Sequence, residues 1–412
     1  MLALSACAFC AIAAVLHLAS IAAVVRRMRR SEADKPREET LEGVSIVRPI
    51  CGLENFTEET LLSGFLLEYP DYEILFCVAQ PSDPVIPLVR RLIDLHPHVR
   101  ARLLIGNECI SANPKLNNVV KGWTAASHPW IVMADSNVLM PPDYLHRLLE
   151  SWRPDTGLIS SPAIGCAPGN VWAELECAFL NTYQARWQGF ADSVGLGFAQ
   201  GKTMLFRRAV LESAGGIRAL GLESAEDAAF TKLVRKSGLR VRVVNRPFPQ
   251  PLGHRTAAEV WRRQLRRARL RRDTFRAYFV PEVAAGGLPP LTACAIFAGS
   301  QDWPVAGALI AFAAIWRRGG SGLHRRLAPV VAIPARVVGA RCTPADSVVG
   351  ELAGQWVRLA RHADARPQPR LSRVRERGQR RRDAGSGQNA RWPCHRRNPS
   401  RLNPRVPCPT PA

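Results

Sequence analysis

An acid, a hydroxyl and an amide follow an apolar run near the middle of the chain. The run covers residues 130–134, and Asp135, Ser136 and Asn137 come directly after it. Five apolar residues in a row are typical of a buried strand in a parallel sheet, where ligands bind at the carboxyl ends of the strands. A carboxylate there can hold a hard divalent cation, which in turn can hold a diphosphate. The structural alternative is that Asp135 only forms a turn.

Two further acids and one lysine stand where strands and helices are expected to meet. Asp83 lies in a loop after a predicted strand, and Asp227 comes just before a predicted helix. Lys115 lies at the start of another predicted helix. Taken one at a time, each has an ordinary role, as a turn residue, an acid in a first helical turn or a cation at a helix start. Their chemistry depends on whether the fold brings them to Asp135.

The elements that would position these residues alternate between strand and helix from Val44 onwards. Successive units of this kind predict a parallel sheet with right-handed crossovers. The predicted strands are 44–49, 72–79, 101–105, 130–134, 158–162, 200–206 and 240–245. The predicted helices are 56–68, 85–95, 113–126, 142–152, 171–191, 208–214, 228–237 and 256–276.

The first 30 residues carry the features of a membrane anchor. Residues 2–25 are mostly apolar and numerous enough to cross a bilayer, and four arginines follow within residues 26–30. A cleaved signal peptide would carry its charge before the apolar run, whereas here the charge follows it. The positive-inside rule then predicts an inner-membrane protein in which the arginines and the residues that follow them face the cytoplasm. Residues 31–43 are polar and charged, and we interpret them as a linker.

The basic composition of the chain comes mostly from its C-terminal part. Residues 316–412 hold 21 Arg, no Lys and 5 Asp or Glu, so they account for +16 of the total charge of +22. Residues 31–282 carry only +3. The central region is therefore close to neutral, which argues against a nucleic-acid partner.

Two apolar segments, 283–299 and 303–316, precede this basic tail. Each is short for a complete span, so we expect a re-entrant hairpin or an interfacial pair. From residue 317 the periodicity is lost, and Arg, Pro and Gly become frequent, which is typical of disorder. Because the change is abrupt, we hypothesise that the reading frame is lost near residues 315–325. The alternative is a basic tail that binds anionic lipid.

Five segments occur in the order and spacing of a known family. They contain Asp83, Asp135, Asp227, the stretch 113–118 and a motif that begins at Arg263. On these residues the sequence from about 44 to 282 resembles the ceramide-glucosyltransferase-like glycosyltransferases, whose pattern is three aspartates followed by (Q/R)-x-x-R-W. Within them it is most similar to the branch associated with hopanoid biosynthesis. The resemblance implies a GT-A fold, a Rossmann-like α/β domain that binds a nucleotide sugar, with flanking membrane segments.

The resemblance also implies where a UDP-sugar would bind. Asp135 would hold Mg2+ or Mn2+ at the diphosphate, because a divalent cation neutralises the charge of such a leaving group. Asp83 would contact the nucleotide. Lys115 and Asn117, from the N-P-K-x-N segment of the family, would lie at the nucleotide end as well.

The remaining roles concern the acceptor. Asp227 would be the general base that takes the proton of the acceptor hydroxyl, which implies a single displacement with inversion at the anomeric carbon. Arg263 and Arg266 would hold the diphosphate or line the acceptor entrance, since a planar guanidinium suits bidentate phosphate contacts.

Two positions bear on the acceptor and on activity. Arg267 stands where the family motif has Trp, and a guanidinium cannot replace an indole in an apolar slot. Residues 182–186, which contain no His, stand in the region where ceramide glucosyltransferases tend to have one, and residues 179–187 resemble the hopanoid branch. The predicted reaction is therefore transfer of a sugar, taken to be N-acetylglucosamine, from its UDP donor to a hydroxyl of a hopanoid polyol.

Several alternatives stay open at this point. The acceptor could be ceramide or another lipid alcohol. The chain could be an impaired or non-catalytic member that has kept the fold, for which Arg267 and the unusual tail are the reasons. A nucleic-acid binder would depend on residues 316–412 and not on Asp227. A processive polysaccharide synthase is disfavoured, because the long apolar spans are too few for an export channel.

Overall fold

A mixed seven-stranded sheet forms the centre of the computed structural model, which describes residues 2–33 and 42–284. The sheet has the strand order β3-β2-β1-β4-β7-β5-β8, and β6 and β9 form a separate parallel pair. The predicted α/β class is confirmed. The strands are β1 (Val44–Ile50), β2 (Tyr72–Val78), β3 (Arg100–Ile105), β4 (Trp130–Ala134), β5 (Thr156–Ser161), β6 (Ala163–Pro168), β7 (Thr203–Arg207), β8 (Arg240–Val243) and β9 (Phe248–Gly253).

Helices connect these strands and cover both faces of the sheet. They are α1 (Leu2–Ala33), α2 (Thr57–Leu62), α3 (Ile86–Leu95), α4 (Pro114–Ala125), α5 (Tyr144–Glu150), α6 (Val171–Ala178), α7 (Ala185–Ser193), α8 (Arg208–Ser213), α9 (Glu226–Lys236), α10 (Ala257–Thr274) and α11 (Arg276–Ala284). A π-helical turn, Phe179–Gln184, joins α6 to α7, so the predicted helix 171–191 is one helical unit with a wider turn inside it.

Four strands, β3-β2-β1-β4, form an all-parallel half of the sheet. Their carboxyl ends therefore lie at one edge. Strands β2 and β3 extend the sheet on one side of β1, whereas β4 lies on the other side, so the order in which the chain adds strands reverses between β1 and β4. In open α/β sheets such a reversal opens a crevice in which ligands bind. Asp83 follows β2 and Asp135 follows β4 at this edge.

The prediction of a fully parallel sheet is wrong at β7. This strand is antiparallel to both β4 and β5, and its first residue, Thr203, pairs with Ala134 at the end of β4. The long helical connection from α6 through α7 returns the chain to the carboxyl edge, so β7 enters the sheet from there. Strands β6 and β9 were not predicted, because each contains Pro and Gly, which weaken a strand pattern.

Alternating side chains of β7 show how the two faces are packed. Met204 and Phe206 join the core between the sheet and helices α4 and α9, whereas Leu205 joins the core beneath α5. All three side chains are fully buried. This alternation is the period of two expected for a strand between two helical layers.

Helix α1 is the one helix of the described residues that is long and apolar enough to cross a membrane, with a candidate span at Ala11–Met28. Its C-terminal half packs against the domain, where Val24 lies in one apolar cluster with Ile164 of β6 and Ala185 of α7, and Arg27 forms an ion pair with Asp192. Residues 34–41 of the predicted linker lie outside the described residues. So do the predicted apolar segments beyond Ala284 and the basic tail.

Candidate active site

A buried arginine holds the loop that carries Asp135. Arg48 on β1 is fully buried. Its Nη2 donates to the carbonyl oxygens of Asp135, Ser136 and Val138 at 3.3, 3.0 and 3.1 Å. Its Nη1 donates to the carbonyl oxygen of Thr60 at 2.8 Å. Burial lowers the pKa of Arg48 to about 10, so the guanidinium stays charged at neutral pH. The loop is fixed through its backbone, which leaves the Asp135 side chain to the crevice.

Two lysines share the carboxylate of Asp135. Its Oδ1 lies 2.7 Å from Nζ of Lys115, and its Oδ2 lies 2.9 Å from Nζ of Lys202. Burial opposes ionisation of Asp135, but the two ammonium groups outweigh it and hold the pKa well below its usual range. The side chains of Asp135, Lys115 and Lys202 are 23%, 27% and 21% exposed, so a ligand in the crevice can reach them.

Lys115 is also bound to helix α9 and to the segment before β7. Its Nζ lies 2.7 Å from Oε1 of Glu226 and donates to the carbonyl oxygen of Gly201 at 2.6 Å. Asn113 caps α4 through the N–H of Lys115, and its Nδ2 donates to Oε2 of Glu226 at 2.7 Å. Burial lowers the pKa of Lys115, but Asp135 and Glu226 raise it far more. Lys115 thus ties three segments together.

The two adjacent acids at the start of α9 have opposite electrostatic surroundings. Burial disfavours the charge of Glu226, but the ion pair with Lys115 lowers its pKa overall. Asp227 forms no ion pair with a cation of the described residues: its Oδ2 accepts from the N–H of Gly201 at 2.9 Å, and its Oδ1 accepts from the N–H of Ala228 at 2.8 Å. Burial and the charge of Glu226 raise the pKa of Asp227 to about 6. Such a separation of neighbouring acids is typical of acid–base sites.

Lys202 joins this cluster through the reversed strand. Because β7 runs antiparallel to β4, the residue before β7 lies beside the residue after β4, and the N–H of Asp135 donates to the carbonyl oxygen of Lys202 at 3.0 Å. Nζ of Lys202 also donates to Oδ1 of Asn137 at 3.0 Å. Burial lowers the pKa of Lys202, and the positive charges of Arg267 and Lys115 add to the effect.

Sequence reasoning did not single out Arg48 or Lys202. A parallel β7 would have placed Lys202 at the opposite edge of the sheet, and Arg48 lies inside a strand where no motif marks it. The one available signal was the residue type, because an Arg in an apolar strand and a Lys next to a strand are both costly to bury without a partner.

Asp83 and Asn117 hold loops at the rim of the crevice. The Asp83 carboxylate accepts from the backbone N–H groups of Gly52, at 2.9 Å to Oδ2, and of Val85, at 3.0 Å to Oδ1. Oδ1 of Asn117 accepts from the N–H of Ser111 at 2.9 Å, and its Nδ2 donates to the Ser111 carbonyl oxygen at 2.9 Å. Asn117 is 7% exposed. Both side chains are engaged with backbone, and their nucleotide contacts stay predictions.

Arginines of α10, together with Arg255 just before this helix, gather around a buried acid. Glu176 on α6 is fully buried, with Arg263 Nη1 at 3.3 Å and Arg255 Nε at 3.6 Å. Burial lowers the pKa of Arg267, and the charge of Glu176 offsets this only in part. The buried Nη1 of Arg267 has no hydrogen-bond partner among the described residues. Arg266, three residues after Arg263 on α10, is exposed, and the roles of both arginines stay predictions.

A polar cavity of about 440 Å³ opens beside Arg263. It lies between the loop after β1 and the start of α10, with Arg263 on its wall. Its walls carry both charges, which suits a polar headgroup rather than an acyl chain. The lining residues are Leu53, Glu54, Asn55, His254, Arg255, Glu259 and Arg263.

The side chains at the crevice limit how a metal ion could be bound. Among residues 2–33 and 42–284, no group of three or more His, Cys, Asp and Glu side chains could hold one. Mg2+ is commonly bound through one or two carboxylates, water and substrate phosphates. Asp135 therefore fits as the single protein ligand of a cation that a diphosphate helps to hold, with the Lys202 contact at Oδ2 exchanged while Lys115 stays at Oδ1. It does not fit a cation held by protein alone.

Comparison with known sequences places the chain in a family. A sequence profile of glycosyl transferase family 21 matches residues 6–336. Ceramide glucosyltransferase 1 of Caenorhabditis elegans is 28% identical over 252 residues, which cover 61% of this chain and 53% of that protein. A ceramide glucosyltransferase of Komagataella phaffii is 38% identical over 115 residues, 27% of this chain and 23% of that protein. The chain spans about half the length of the first curated relatives it matches.

Solved structures of low identity are also similar. A mannosyltransferase from Pyrobaculum calidifontis in complex with GDP-Man and Mn2+ has a TM-score of 0.48 at 18% identity, covering 79% of this chain and 98% of that one. Glucosyl-3-phosphoglycerate synthase from Mycobacterium tuberculosis, in complex with Mn2+, UDP and phosphoglyceric acid, has a TM-score of 0.35 at 16% identity, covering 57% and 79%. The assignment rests on the profile, which extends over most of the sequence. The chain belongs to glycosyl transferase family 21.

Proposed function

We propose that this chain transfers a sugar from a UDP-sugar to a hydroxyl group of a membrane lipid, with inversion at the anomeric carbon. The observation that carries the proposal is the contrast between Glu226, which an ion pair keeps ionised, and Asp227, whose pKa is raised to about 6. A general base works best when its pKa lies near the working pH. Asp227 is also partly exposed, so an acceptor can reach it.

In this reaction the carboxylate of Asp227 takes the proton of the lipid hydroxyl. The hydroxyl oxygen forms a bond to the anomeric carbon as the bond from that carbon to the β-phosphate oxygen breaks, and UDP leaves. The N–H groups of Gly201 and Ala228 fix the orientation of the Asp227 carboxylate. Its position is therefore set before the substrates bind, which reduces the entropic cost of reaching the transition state.

The leaving diphosphate would lie at the Asp135 cluster. A divalent cation, Mg2+ or Mn2+, bound there would neutralise charge that develops on the diphosphate. Asp135 would be its protein ligand, and Lys115 would keep the carboxylate in place. We propose nucleotide contacts at the rim near Asp83 and Asn117, where both side chains already order the loops.

The acceptor would approach from the side of α10. The cavity beside Arg263 is polar, so the headgroup of a lipid could be held there. We propose a hopanoid polyol as acceptor and N-acetylglucosamine as sugar, on the resemblance of residues 179–187 to the hopanoid branch. Ceramide is the second candidate, and the similarity to proteins named ceramide glucosyltransferases favours it.

We place the catalytic domain, residues 44–282, on the cytoplasmic side of the inner membrane. Helix α1 supports this placement, because it is long and apolar enough to span and ends in arginines that favour the cytoplasm. Its contacts with α7 would hold the domain against the bilayer. The apolar segments within 283–316 would add to the membrane attachment, and we propose that the tail from 317 arises from a lost reading frame.

The test is transfer of radiolabelled sugar by membranes that contain the full chain. UDP-N-acetylglucosamine and UDP-glucose would each be supplied with Mg2+ or Mn2+ and with bacteriohopanetetrol, ceramide or a hopanoid hydrocarbon that has no hydroxyl. The proposal expects label in bacteriohopanetetrol, none in the hydrocarbon, and loss of transfer with EDTA. Label in ceramide alone would show that ceramide, and not a hopanoid polyol, is the acceptor. No label in any lipid would contradict the proposed transfer.

A further inference from the structure

The two lysines on Asp135 differ in how many of their hydrogen bonds are used. An ammonium group has three N–H donors. Nζ of Lys115 has three acceptors, on Asp135, Glu226 and Gly201, at 2.7, 2.7 and 2.6 Å. Its donors are therefore all engaged within the protein.

Lys202 has two acceptors among the described residues. They are Oδ2 of Asp135 at 2.9 Å and Oδ1 of Asn137 at 3.0 Å. One N–H of its ammonium group is left for a ligand. The side chain is 21% exposed, and the backbone pairing beside β4 places it at the carboxyl edge where the parallel strands end.

The charges around the two lysines also favour an anionic ligand at Lys202 over Lys115. Lys115 lies between two carboxylates, Asp135 and Glu226, which together exceed its single charge. Lys202 contacts one carboxylate, which it shares with Lys115, and Arg267 directs a further positive charge toward it. An anionic ligand would therefore be stabilised beside Lys202 and not beside Lys115.

We infer that Lys202 donates a hydrogen bond to the diphosphate of the sugar donor, whereas Lys115 positions Asp135 and Glu226 without contacting the donor. This assignment rests on the proposed function and revises it, because the family resemblance had placed Lys115 at the nucleotide. It also explains what the reversed strand β7 contributes to the site, because Lys202 directly precedes this strand. When the bond from the anomeric carbon to the β-phosphate breaks, the negative charge that the diphosphate gains is met by the Lys202 ammonium.

The test compares ligand affinities of variants of the full-length, detergent-solubilised protein by calorimetry. UDP and uridine would be the probes, each with Mg2+ and with EDTA. Lys202→Met should weaken UDP binding about 10- to 100-fold, as expected for a lost hydrogen bond to a charged group, and leave uridine binding unchanged. The loss should persist in EDTA, because it does not depend on the metal. Lys202→Arg, which keeps the charge, should recover part of the affinity.

Lys115→Met should show the opposite pattern, with an effect on folding stability rather than on a direct contact with UDP. It removes the contact that joins α4, α9 and the segment before β7, so it should lower the melting temperature more than Lys202→Met does. Lys232→Met is the matched control, since Lys232 is exposed and contacts Glu223 and the ring of Phe275, not Asp135. It should change neither affinity nor melting temperature.

Three results would overturn the inference. UDP binding by Lys202→Met at the wild-type affinity would show that Lys202 does not contact the diphosphate. Equal loss of uridine and UDP affinity would mean that the substitution only distorts the site. Wild-type protein that binds no UDP would defeat the proposed UDP donor itself, and the wild-type titration separates that failure from the other two.

Discussion

The parallel half of the sheet and strand β7 bring opposite charges to the same crevice. Asp83 and Asp135 lie in the loops after β2 and β4, and these loops are held by backbone N–H groups and by Arg48. Strand β7 begins there instead of ending there, and it brings Lys202 to the carboxylate of Asp135. In the described part of the chain, the parallel half of the sheet therefore positions the acids, whereas the reversed strand β7 positions a cation beside Asp135.

The largest expected effect is on stability and comes from replacing Arg48, which lies in the parallel half of the sheet. Arg48→Met removes hydrogen bonds to four carbonyl oxygens that surround a fully buried side chain. Buried carbonyls without partners should cost on the order of 3–5 kcal/mol of unfolding free energy. The melting temperature of the solubilised protein should fall by at least about 6 °C.

Arg48→Lys is the control for this substitution, because it keeps the charge and some of the donors. It should lie between the wild type and Arg48→Met. A melting temperature of Arg48→Met within about 1 °C of the wild type would show that the loop after β4 does not depend on this arginine.

The next effect concerns the side of the crevice that β7 forms. The N–H of Gly201, two residues before β7, holds Asp227, whose pKa is raised to about 6. Below that pH the carboxyl group is protonated and cannot accept the proton of the acceptor. Hence kcat/KM should fall about tenfold for each pH unit below 6 and level off above it. UDP affinity measured at each pH separates this effect from donor binding, and a profile that stays level down to pH 4.5 would contradict the assignment.

The smallest expected effect is on UDP affinity and comes from replacing Arg267, whose charge acts on Lys202. Arg267→Trp restores the family residue but removes a positive charge that acts on Lys202. We expect UDP binding to weaken by roughly two- to fivefold, since a charge at this distance acts through partly screened surroundings. Arg262→Trp, at an exposed position of α10, is the control and should leave binding unchanged. Turnover that rises in Arg267→Trp would instead show that Arg267 impairs the site.

Much of the fold and part of the site could be predicted from the sequence. Long periodic segments fixed the α/β class, and the positions of Asp135 and Asp227 at strand and helix ends followed from local patterns. The direction of β7 could not be predicted, because a buried strand has the same pattern whichever way it runs. Lys202 was therefore missed, and so was the full burial of Arg48, whose partners are carbonyl groups that leave no trace in a sequence.

The roles of neighbouring acids were also beyond the sequence. Glu226 and Asp227 are adjacent and chemically alike, and only the position of Lys115 in space separates their pKa values. The family resemblance pointed to Asp227, and the electrostatic contrast gives a physical reason for that choice.

The most direct test of the account is a comparison of sugar transfer and UDP binding in Asp227→Asn. The asparagine keeps the shape of the side chain and an oxygen for the Gly201 N–H, but it cannot take a proton. With the lipid that the wild type glycosylates, we predict that kcat falls by about 10²- to 10⁴-fold while UDP affinity stays within about threefold of the wild type. Turnover by Asp227→Asn at the wild-type rate would contradict the account.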